Sequence, residues 1–302
     1  MDLAIQQKKK DYISNSRADE TKRAIAKHWR HFIDWCDNYN KDSYPCSPEI
    51  LCEYLIFRAG QGVKIATIDQ VKWAIDFRHR VSDMPTPGDS SVVKSLLAGI
   101  KRKHRARIVQ KKALTPDNYK KLSFDDNHLQ GLREKMIILL GFAGAFRRSE
   151  LAGIMVEDIE QTKQGLRINL LFSKTNQEGA IEYINIVRSS DSEYCPVEAV
   201  SKWLSDTGIK SGALIRSINK SGKLGEKLST VSIAKIIKLT CAKIGLDYQH
   251  YSGHSLRAGF ATYALDNKIP PHIVAKHLRH KKLETTLRYD RNSLADALEN
   301  LY

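Results

Sequence analysis

"HLQGLREKMIILLGFAGAFRRSELAGI", residues 128–154, places two adjacent arginines directly after a long apolar segment. The apolar spacing predicts one helix over HLQGLREKMIILLGFAGAF and a second, short helix over RSELAGI. Arg147 and Arg148 lie at the break between the two helices, and Glu150 follows Arg147 by three residues. The break is therefore a place where charged side chains can carry chemistry.

The segments that follow predict strands and then more helices. GLRINLLFS and AIEYINIV alternate like strands on either side of the turn KTNQEG, residues 174–179, which predicts a β-hairpin. From Cys195 onward the pattern is helical, over PVEAVSKWLSDTG, TVSIAKIIKLTCAKIG, HSLRAGFATYALDN, PHIVAKHL and LADALENLY. We find no internal repeat. The predicted fold class is mainly α with a small antiparallel sheet, an α+β protein.

The first third of the chain predicts a bundle of four amphipathic helices. In DETKRAIAKHWRHFIDWCDNY the apolar residues Ile25, Trp29, Phe32 and Cys36 recur at helical spacing. The other three predicted helices are EILCEYLIFRAG after Ser47 and Pro48, IDQVKWAIDFRHRV after a Thr67 cap, and SVVKSLLAGI after an Asp89 or Ser90 cap. Short polar loops between them favour a small bundle.

A basic run, KRKHRARIVQKK at residues 101–112, separates this bundle from the rest. The run contains no acidic residue, which favours a linker that contacts phosphate over an ordinary solvated helix end. We therefore predict two domains, residues 1–108 and 109–302, with ALTPDNYKKL as the capped first helix of the second. The residues expected to contact phosphate are Lys101, Arg102, Lys103, Arg105, Arg107, Lys111 and Lys112.

The charge of the whole chain indicates a polyanionic partner. The 302 residues include 49 Lys and Arg against 34 Asp and Glu, a formal net charge of +15. Such an imbalance costs self-repulsion, which nucleic acid or an acidic membrane face would offset. No stretch approaches the length of a membrane span, and the N-terminus has no apolar signal segment. We therefore expect a cytoplasmic protein that does not bind membranes.

Neither a disulfide framework nor a metal site is predicted. The five cysteines form no CxxC pair and leave an odd count. No acidic cluster suited to Mg²⁺ stands out, and HxxxxHLRH lacks the HExxH pattern of a zinc protease. We therefore expect the protein to work in a reducing compartment and to carry out its chemistry without a metal ion.

Four separated places in the second domain carry reactive or anion-binding residues. They are AFRRSEL with Arg147 and Glu150, FSKTNQEG with Lys174, GHSLRAGF with His254 and Arg257, and HLRHKKLETTLRY with His280 and Tyr289. Each has an ordinary explanation when taken singly: a surface ion pair, a solubilising turn lysine, a helix cap, or a packed aromatic ring. The combination of all four is what points to chemistry.

Together these residues meet the requirements of a phosphoryl transfer without metal. Two arginines can bind two oxygens of one phosphate through planar forks, histidines can add donors, a lysine can protonate a leaving oxygen and a tyrosine can attack. Ionising a phenol of pKa about 10 at pH 7 costs roughly 4 kcal/mol. One well-placed donor contributes about 10²–10³ in rate, so several cations are needed.

In order and spacing, these four segments resemble those of the tyrosine recombinases, the phage-integrase family. The resemblance covers the second domain, and the helical first domain is compatible with the family's DNA-clamping core-binding domain. The resemblance implies that Tyr289 is the nucleophile, which forms a 3′-phosphotyrosyl bond, and that Arg147, Arg257 and His280 bind the scissile phosphate. Lys174 would be the general acid for the 5′-oxygen, and His254 would assist proton transfer near the nucleophile. Glu150 would support the active site indirectly.

The resemblance also implies double-stranded DNA with an inverted-repeat site as substrate, a homotetramer on DNA, and neither ATP nor a metal or other cofactor. Its departures from the family pattern are Ala145-Phe146, where Gly-Leu is common, and Arg279, which replaces a usual glycine and is expected to touch DNA. Arg148 beside Arg147 leaves two candidates for phosphate binding, and the spacing to Glu150 favours Arg147. The tail SLADALENLY suits docking on a neighbouring subunit or packing on its own domain.

The leading hypothesis is therefore a site-specific DNA recombinase. A type IB topoisomerase would use the same covalent chemistry without exchanging strands between duplexes. A catalytically silent DNA-binding regulator on the same scaffold is a further alternative, against which the complete residue set argues. A metal-dependent nuclease would need a carboxylate cluster, and the sequence offers none.

Overall fold

The computed structural model describes residues 19–104, 111–170 and 182–290, together with three single positions before residue 19. The chain divides into two compact units, Met1–Ile108 and Val109–Tyr302. The predicted hairpin turn, the LADALENLY helix and the middle of the basic run lie outside the described residues. Each unit has its own hydrophobic core.

In its described residues the first unit contains four helices, α1 (Asp19–Asn38), α2 (Pro48–Gly60), α3 (Ile65–Val81) and α4 (Ser91–Lys103). Their core includes Phe32, Leu51 and Tyr54, all fully buried. The Ser47 hydroxyl caps α2 by accepting a hydrogen bond from the Ile50 amide at 3.3 Å, which confirms the predicted start. Four predicted helices are thus present in this unit.

The predicted Thr67 cap of α3 is wrong. The N-cap position is three residues earlier, at Lys64, and the helix begins at Ile65. Ile65 and Ile68 both pack against the core of this unit, so their burial extends the helix past the polar residue that looked like a start signal. Ser90 does occupy the N-cap position of α4, without a hydrogen bond from its side chain.

Where the structure describes the second unit, it combines eight further helices with two small sheets. Its helices are α5 (Pro116–Tyr119), α6 (Leu129–Ala143), α7 (Arg148–Gly153), α8 (Pro196–Thr207), α9 (Thr230–Lys243), α10 (Gly253–Asp266), α11 (Pro271–Leu278) and α12 (Leu283–Leu287). Single 3₁₀ turns lie at Val156–Asp158 and Tyr248–His250. The short helix α12 was not predicted.

The larger sheet is antiparallel, in the order β1 (Ile159–Thr162), β2 (Gly165–Leu170), β3 (Glu182–Val187). Ile168 faces Ile184 and Leu166 faces Ile186, so the buried alternation that predicted the hairpin sets the register. A second sheet pairs β4 (Arg216–Ile218) with β5 (Leu224–Lys227). Neither β1 nor this second pair was predicted, because their exposed polar residues show little alternation. The mainly helical α+β class is confirmed.

Helix α6 lies at the centre of the second core. Met136, Ile137, Ile138 and Leu140 are almost fully buried, and they pack in the same cluster as Trp203 of α8 and residues of α9 and α10. Because α6 is enclosed on several sides, its apolar residues do not follow a single stripe. The packing holds the C-terminal end of α6 at a fixed place beside α10.

The described parts of the chain show no candidate membrane segment. No helix there is both long enough and apolar enough to cross a bilayer. All five cysteines are free thiols, and four of them are buried. Their burial makes them part of the two cores.

We expect Gly259→Ala to destabilise the second unit. Gly259 lies on α10, and a methyl carbon there would lie 2.1 Å from the Leu114 carbonyl oxygen. The Leu114 amide also donates to the Ser255 carbonyl at 2.9 Å, so the two backbones cannot easily separate. Urea denaturation should show a loss of about 2–3 kcal/mol, the cost of overpacking a core.

Gly153→Ala is the matched control, since nothing lies within 4 Å of a methyl group at Gly153. That substitution should leave the stability unchanged or raise it slightly. Equal urea midpoints for the two variants would show that the stability of the second unit does not depend on the close approach of α10 to residue 114.

Candidate active site

Tyr289 and His254 come together at the surface of the second unit. Tyr289 follows helix α12, and its hydroxyl lies 2.9 Å from Nε2 of His254 in the first turn of α10. The phenol ring packs on a small apolar cluster that includes Ala145 and Leu278. A phenol oxygen and an imidazole nitrogen at this distance can exchange a proton directly.

Arg257 lies one helical turn after His254 and is 2% exposed. Its guanidinium donates to the Ala145 carbonyl at 2.7 Å and to the Leu278 carbonyl. These two carbonyls belong to the C-terminal ends of α6 and α11, where backbone oxygens lack partners within the helix. A guanidinium has five N–H groups, so three donors of Arg257 remain for another acceptor.

Arg147 and Glu150 form the start of α7. Glu150 accepts from the Arg147 amide at 2.8 Å and from the Arg147 guanidinium at 2.5 Å. The same carboxylate accepts from the Arg279 guanidinium at 2.7 Å. The second terminal nitrogen of the Arg147 guanidinium, Nη2, donates to the Arg279 carbonyl at 3.5 Å. One buried carboxylate therefore binds two arginines from distant parts of the chain.

Glu150 stays ionised in this environment. Burial by itself raises the pKa of the carboxyl, but Arg279, and then the hydrogen bonds and charge of Arg147, hold it below its usual range. The buried carboxylate is thus stabilised by charge-assisted hydrogen bonds rather than neutralised by a proton.

His280 sits beside the phenol and faces Thr286. Its Nδ1 lies 2.7 Å from the buried Thr286 hydroxyl, and its ring is nearly parallel to that of Tyr289, with centroids 6.3 Å apart. In the tautomer that carries its proton on Nε2, Nδ1 accepts from Thr286 and Nε2–H stays free to donate. Burial and the charges of Arg257 and Arg147 lower the pKa of His280 to about 4. The imidazole is therefore neutral at pH 7.

The same charges act on the other two reactive side chains. Loss of solvation, then Arg257 and Arg147, lower the pKa of His254, so its imidazole is available as a proton acceptor at neutral pH. Burial raises the pKa of Tyr289, against the opposing effect of Arg257, Arg147 and Arg288. Free of a ligand, the site thus holds a protonated phenol next to a neutral imidazole.

The structure brings together Tyr289, Arg147, His254, Arg257 and His280, five of the six predicted catalytic residues, with Glu150 beneath them. Arg148 is exposed and lies over Gly253 at the start of α10, whereas Arg147 points into the site. Lys174 lies outside the described residues.

Among the predicted phosphate-contacting residues, Arg105 and Arg107 lie outside the described residues. Lys101 pairs with Asp69 at 2.8 Å, and Lys111 donates to the Gln249 carbonyl at 2.6 Å. Arg102, Lys103 and Lys112 are exposed. DNA contact by these residues stays a prediction.

Arg279 was expected to touch DNA, and its side chain points elsewhere in this structure. It is 6% exposed and is paired with Glu150, because its backbone adopts a left-handed conformation (φ 56°, ψ 43°) that turns the side chain inward. Sequence reasoning also missed Thr286, the partner of His280. Its position in the unpredicted helix α12 gave no signal.

In the described parts of the chain, no three His, Cys, Asp or Glu side chains lie close enough to form a metal-binding group. The charges that act on Tyr289 include those of Arg257, Arg147 and Arg288, and Arg279 lies close by on Glu150. Their arrangement suits an anion with several oxygens, such as a phosphodiester.

Comparison with known proteins identifies the family of the chain and agrees with its fold. Residues 112–295 match the pattern of the phage integrase family, and the chain belongs to that family. It is 35% identical to an integrase/recombinase XerD homolog of Selenomonas ruminantium, over 93% of this chain and 84% of that protein. It is 24% identical to the Cre recombinase of Escherichia phage P1, over 81% and 76% of the two chains.

A solved structure shares the fold at low sequence identity. The integrase of the transposon Tn1549, determined in complex with transposon right-end DNA, matches with a TM-score of 0.65. The match covers 97% of both chains at 15% identity. The fold of this chain is therefore similar to that of the integrase.

We expect the stability of the protein to fall as the pH is lowered from 7 to 5, in part through His280. The pKa of His280 is about 4 in the folded protein and about 6.5 in an unfolded chain, so the unfolded state takes up a proton first. The contribution of His280 to the free energy of unfolding is complete above pH 6.5 and is lost as the pH falls toward 4. Urea denaturation at several pH values should show a weaker pH dependence for His280→Gln than for the wild type.

His254 and His277 also have lowered pKa values, so the variant should keep part of the dependence. His272→Gln, an exposed position on α11, serves as the control and should behave as the wild type. Identical slopes for His280→Gln and the wild type would contradict the buried, neutral state of His280.

Proposed function

We propose that this protein is a site-specific DNA recombinase that cuts and rejoins DNA through a covalent phosphotyrosine, without a metal ion. The observation that carries the proposal is the 2.9 Å contact between the Tyr289 hydroxyl and His254, in a site that also contains Arg147 and Arg257. Membership of the phage integrase family supports it. The site combines a nucleophile, a proton acceptor and phosphate-binding groups.

The first step is attack by the Tyr289 oxygen on the scissile phosphorus. The phenol proton passes to Nε2 of His254, whose lowered pKa keeps the imidazole neutral and able to accept it. A bond forms between the phenol oxygen and the 3′-phosphate, and the bond from phosphorus to the 5′-oxygen breaks. Direct transfer to His254 avoids the roughly 4 kcal/mol needed to ionise a free phenol beforehand at pH 7.

Negative charge that develops on the phosphate oxygens is balanced by three groups. Arg257 keeps three N–H donors free, Arg147 faces the same site, and neutral His280 can donate through Nε2. These groups are held in place before DNA arrives, so little reorganisation is needed when the charge forms. Preorganised donors of this kind contribute most of the rate in such reactions.

The leaving 5′-oxygen needs a proton, and we assign this role to Lys174, which lies between β2 and β3 in the sequence. The phosphotyrosyl bond keeps the energy of the phosphodiester, so the reverse attack by a 5′-hydroxyl rejoins the strand without ATP. If that hydroxyl comes from a second duplex, strands are exchanged. If it comes from the same strand, DNA is only relaxed, which is the alternative of a type IB topoisomerase.

The proposed substrate is double-stranded DNA with an inverted-repeat site, bound by a homotetramer in the cytoplasm. The net charge of +15 supports a polyanionic partner. The exposed basic residues at the end of α4 would contact DNA phosphate, and the first unit would bind the duplex. The complete set of reactive residues argues against a silent DNA-binding regulator.

Tyr289→Phe should form no covalent adduct with DNA and should still bind it. The target duplex is first selected from a random library with this variant, since it retains the phosphate-binding arginines. A nicked duplex of that sequence, which traps the covalent intermediate, is then incubated with wild-type protein in EDTA. The wild type should give an adduct on a denaturing gel, because the attack needs only groups of the protein.

Tyr248→Phe, at an exposed tyrosine of the same unit, is the matched control and should form the adduct at the wild-type rate. An adduct with Tyr289→Phe would show that another residue is the nucleophile. Cleavage by the wild type only in the presence of Mg²⁺, without an adduct, would support a nuclease instead.

Replacing Arg102 and Lys103 with Gln should weaken DNA binding on every sequence and reduce its salt dependence. Both side chains are exposed at the end of α4. Each lost phosphate contact should lower the slope of log Kd against log salt by about 1. Lys202→Gln with Lys210→Gln removes the same charge from the region of α8 and should leave the slope unchanged. Equal slopes for the two double variants would make the basic run an ordinary solvated helix end.

A further inference from the structure

Arg279 occupies the residue position that follows helix α11, where the chain turns back. Its amide donates to the Lys276 carbonyl and the His280 amide donates to the Ala275 carbonyl, both at 3.0 Å. These two bonds define a Schellman motif, whose left-handed position is usually glycine because a side chain there is strained. A residue with a large cationic side chain at this position calls for a compensating interaction.

The Arg279 side chain makes that interaction within the site. It donates to the His277 carbonyl at 2.8 Å, to the Ala145 carbonyl at 3.2 Å and to the Glu150 carboxylate at 2.7 Å. The guanidinium also lies 5.8 Å from the ring centre of Phe146, which helps to fix its plane. Arg279 thus connects the end of α11 with the start of α7.

The Glu150 carboxylate is shared as a result. One oxygen accepts from the Arg147 guanidinium, and the other accepts from Arg279 and from the Arg147 amide. With only Arg147 as partner, the carboxylate would cancel the charge of Arg147, and this ion pair would bind a phosphate weakly. With Arg279 present, the three side chains together keep one net positive charge beside Arg257.

We propose that Arg279 is a positioning residue that shares Glu150 and so leaves the charge of Arg147 available to the scissile phosphate. The proposal rests on the proposed function for its catalytic readout. Arg279 itself makes no contact with the reacting atoms. Its effect passes through Glu150, which holds Arg147 in place while its own charge is balanced from the other side.

The test is a pair of substitutions whose effects should oppose each other. Arg279→Met keeps an unbranched side chain at the left-handed position but removes the charge, and it should slow adduct formation by about 10- to 100-fold, the cost of misplacing a reacting group. In the Arg279→Met background, the additional change Glu150→Gln removes the carboxylate that would otherwise cancel the charge of Arg147. The double variant should therefore recover part of the rate lost in Arg279→Met.

Two further variants separate charge from backbone strain. Lys268 also has a positive φ, 60°, at the end of α10 and is exposed there. Lys268→Gly relieves that strain away from the site and should leave the rate of adduct formation unchanged. Arg279→Gly relieves the same kind of strain but should be slow, and Arg279→Lys should lie between Arg279→Met and the wild type.

Titration of His280 by NMR gives a readout that needs no catalysis. Arg279 is one of the charges that lower the pKa of His280. That pKa should rise in Arg279→Met and fall again when Glu150→Gln is added.

A slow Arg279→Met variant that Glu150→Gln does not rescue would overturn the proposal, and so would an unchanged rate. If the wild type forms no adduct, the proposed function fails, and the His280 titration then decides the role of Arg279 by itself. No shift of the His280 pKa in Arg279→Met would overturn the role in that case.

Discussion

Two helices of the second unit end at the same buried place, and their last carbonyl groups need hydrogen-bond donors. The carbonyl groups of the last four residues of a helix have no amide partner within the helix, and Ala145 and Leu278 are fully buried here. At the end of α11, backbone amides satisfy the carbonyls of residues 275 and 276, Arg279 satisfies that of His277, and Arg257 satisfies that of Leu278. At the end of α6, His277 and Arg257 donate to Ala143 and Ala145. Cationic side chains are drawn into the protein by this requirement.

The chemistry of the site follows from how these cations are held. Burial of a guanidinium is costly, and the pKa of Arg257 is lowered first by loss of solvation and then by Arg147 and Arg279. Helix carbonyls and one carboxylate compensate for part of that cost, and a bound phosphate would compensate for more. Burial, and after it the charges of the same arginines, lower the pKa values of His254 and His280 and keep both imidazoles neutral, so one can accept a proton and the other can donate a hydrogen bond. A single group of buried charges thus prepares both the phosphate site and the proton transfer.

Much of this arrangement could be predicted from the sequence, because it depends on local patterns. The apolar spacing identified α1, α2, α6 and α8 to α11, and the alternation of β2 and β3 identified the hairpin. The sequence segments around Arg147, Arg257 and Tyr289 predicted the residues that the fold brings together. Polar strands such as β1 and the short helix α12 were missed, because strand pairing and tertiary packing stabilise them rather than their own sequence.

The amino-acid sequence alone identified most of the helices and the four segments that resemble those of a recombinase. Which arginine faces the site and which lies outside it depends on tertiary packing. Arg147 and Arg148 are adjacent in the chain, but the start of α7 directs the first to Glu150 and leaves the second exposed over Gly253. Arg279 looked like a DNA contact, yet the left-handed turn after α11 points it at the same carboxylate. The direction of a long charged side chain is set by buried partners from distant parts of the chain, and a local pattern does not contain them.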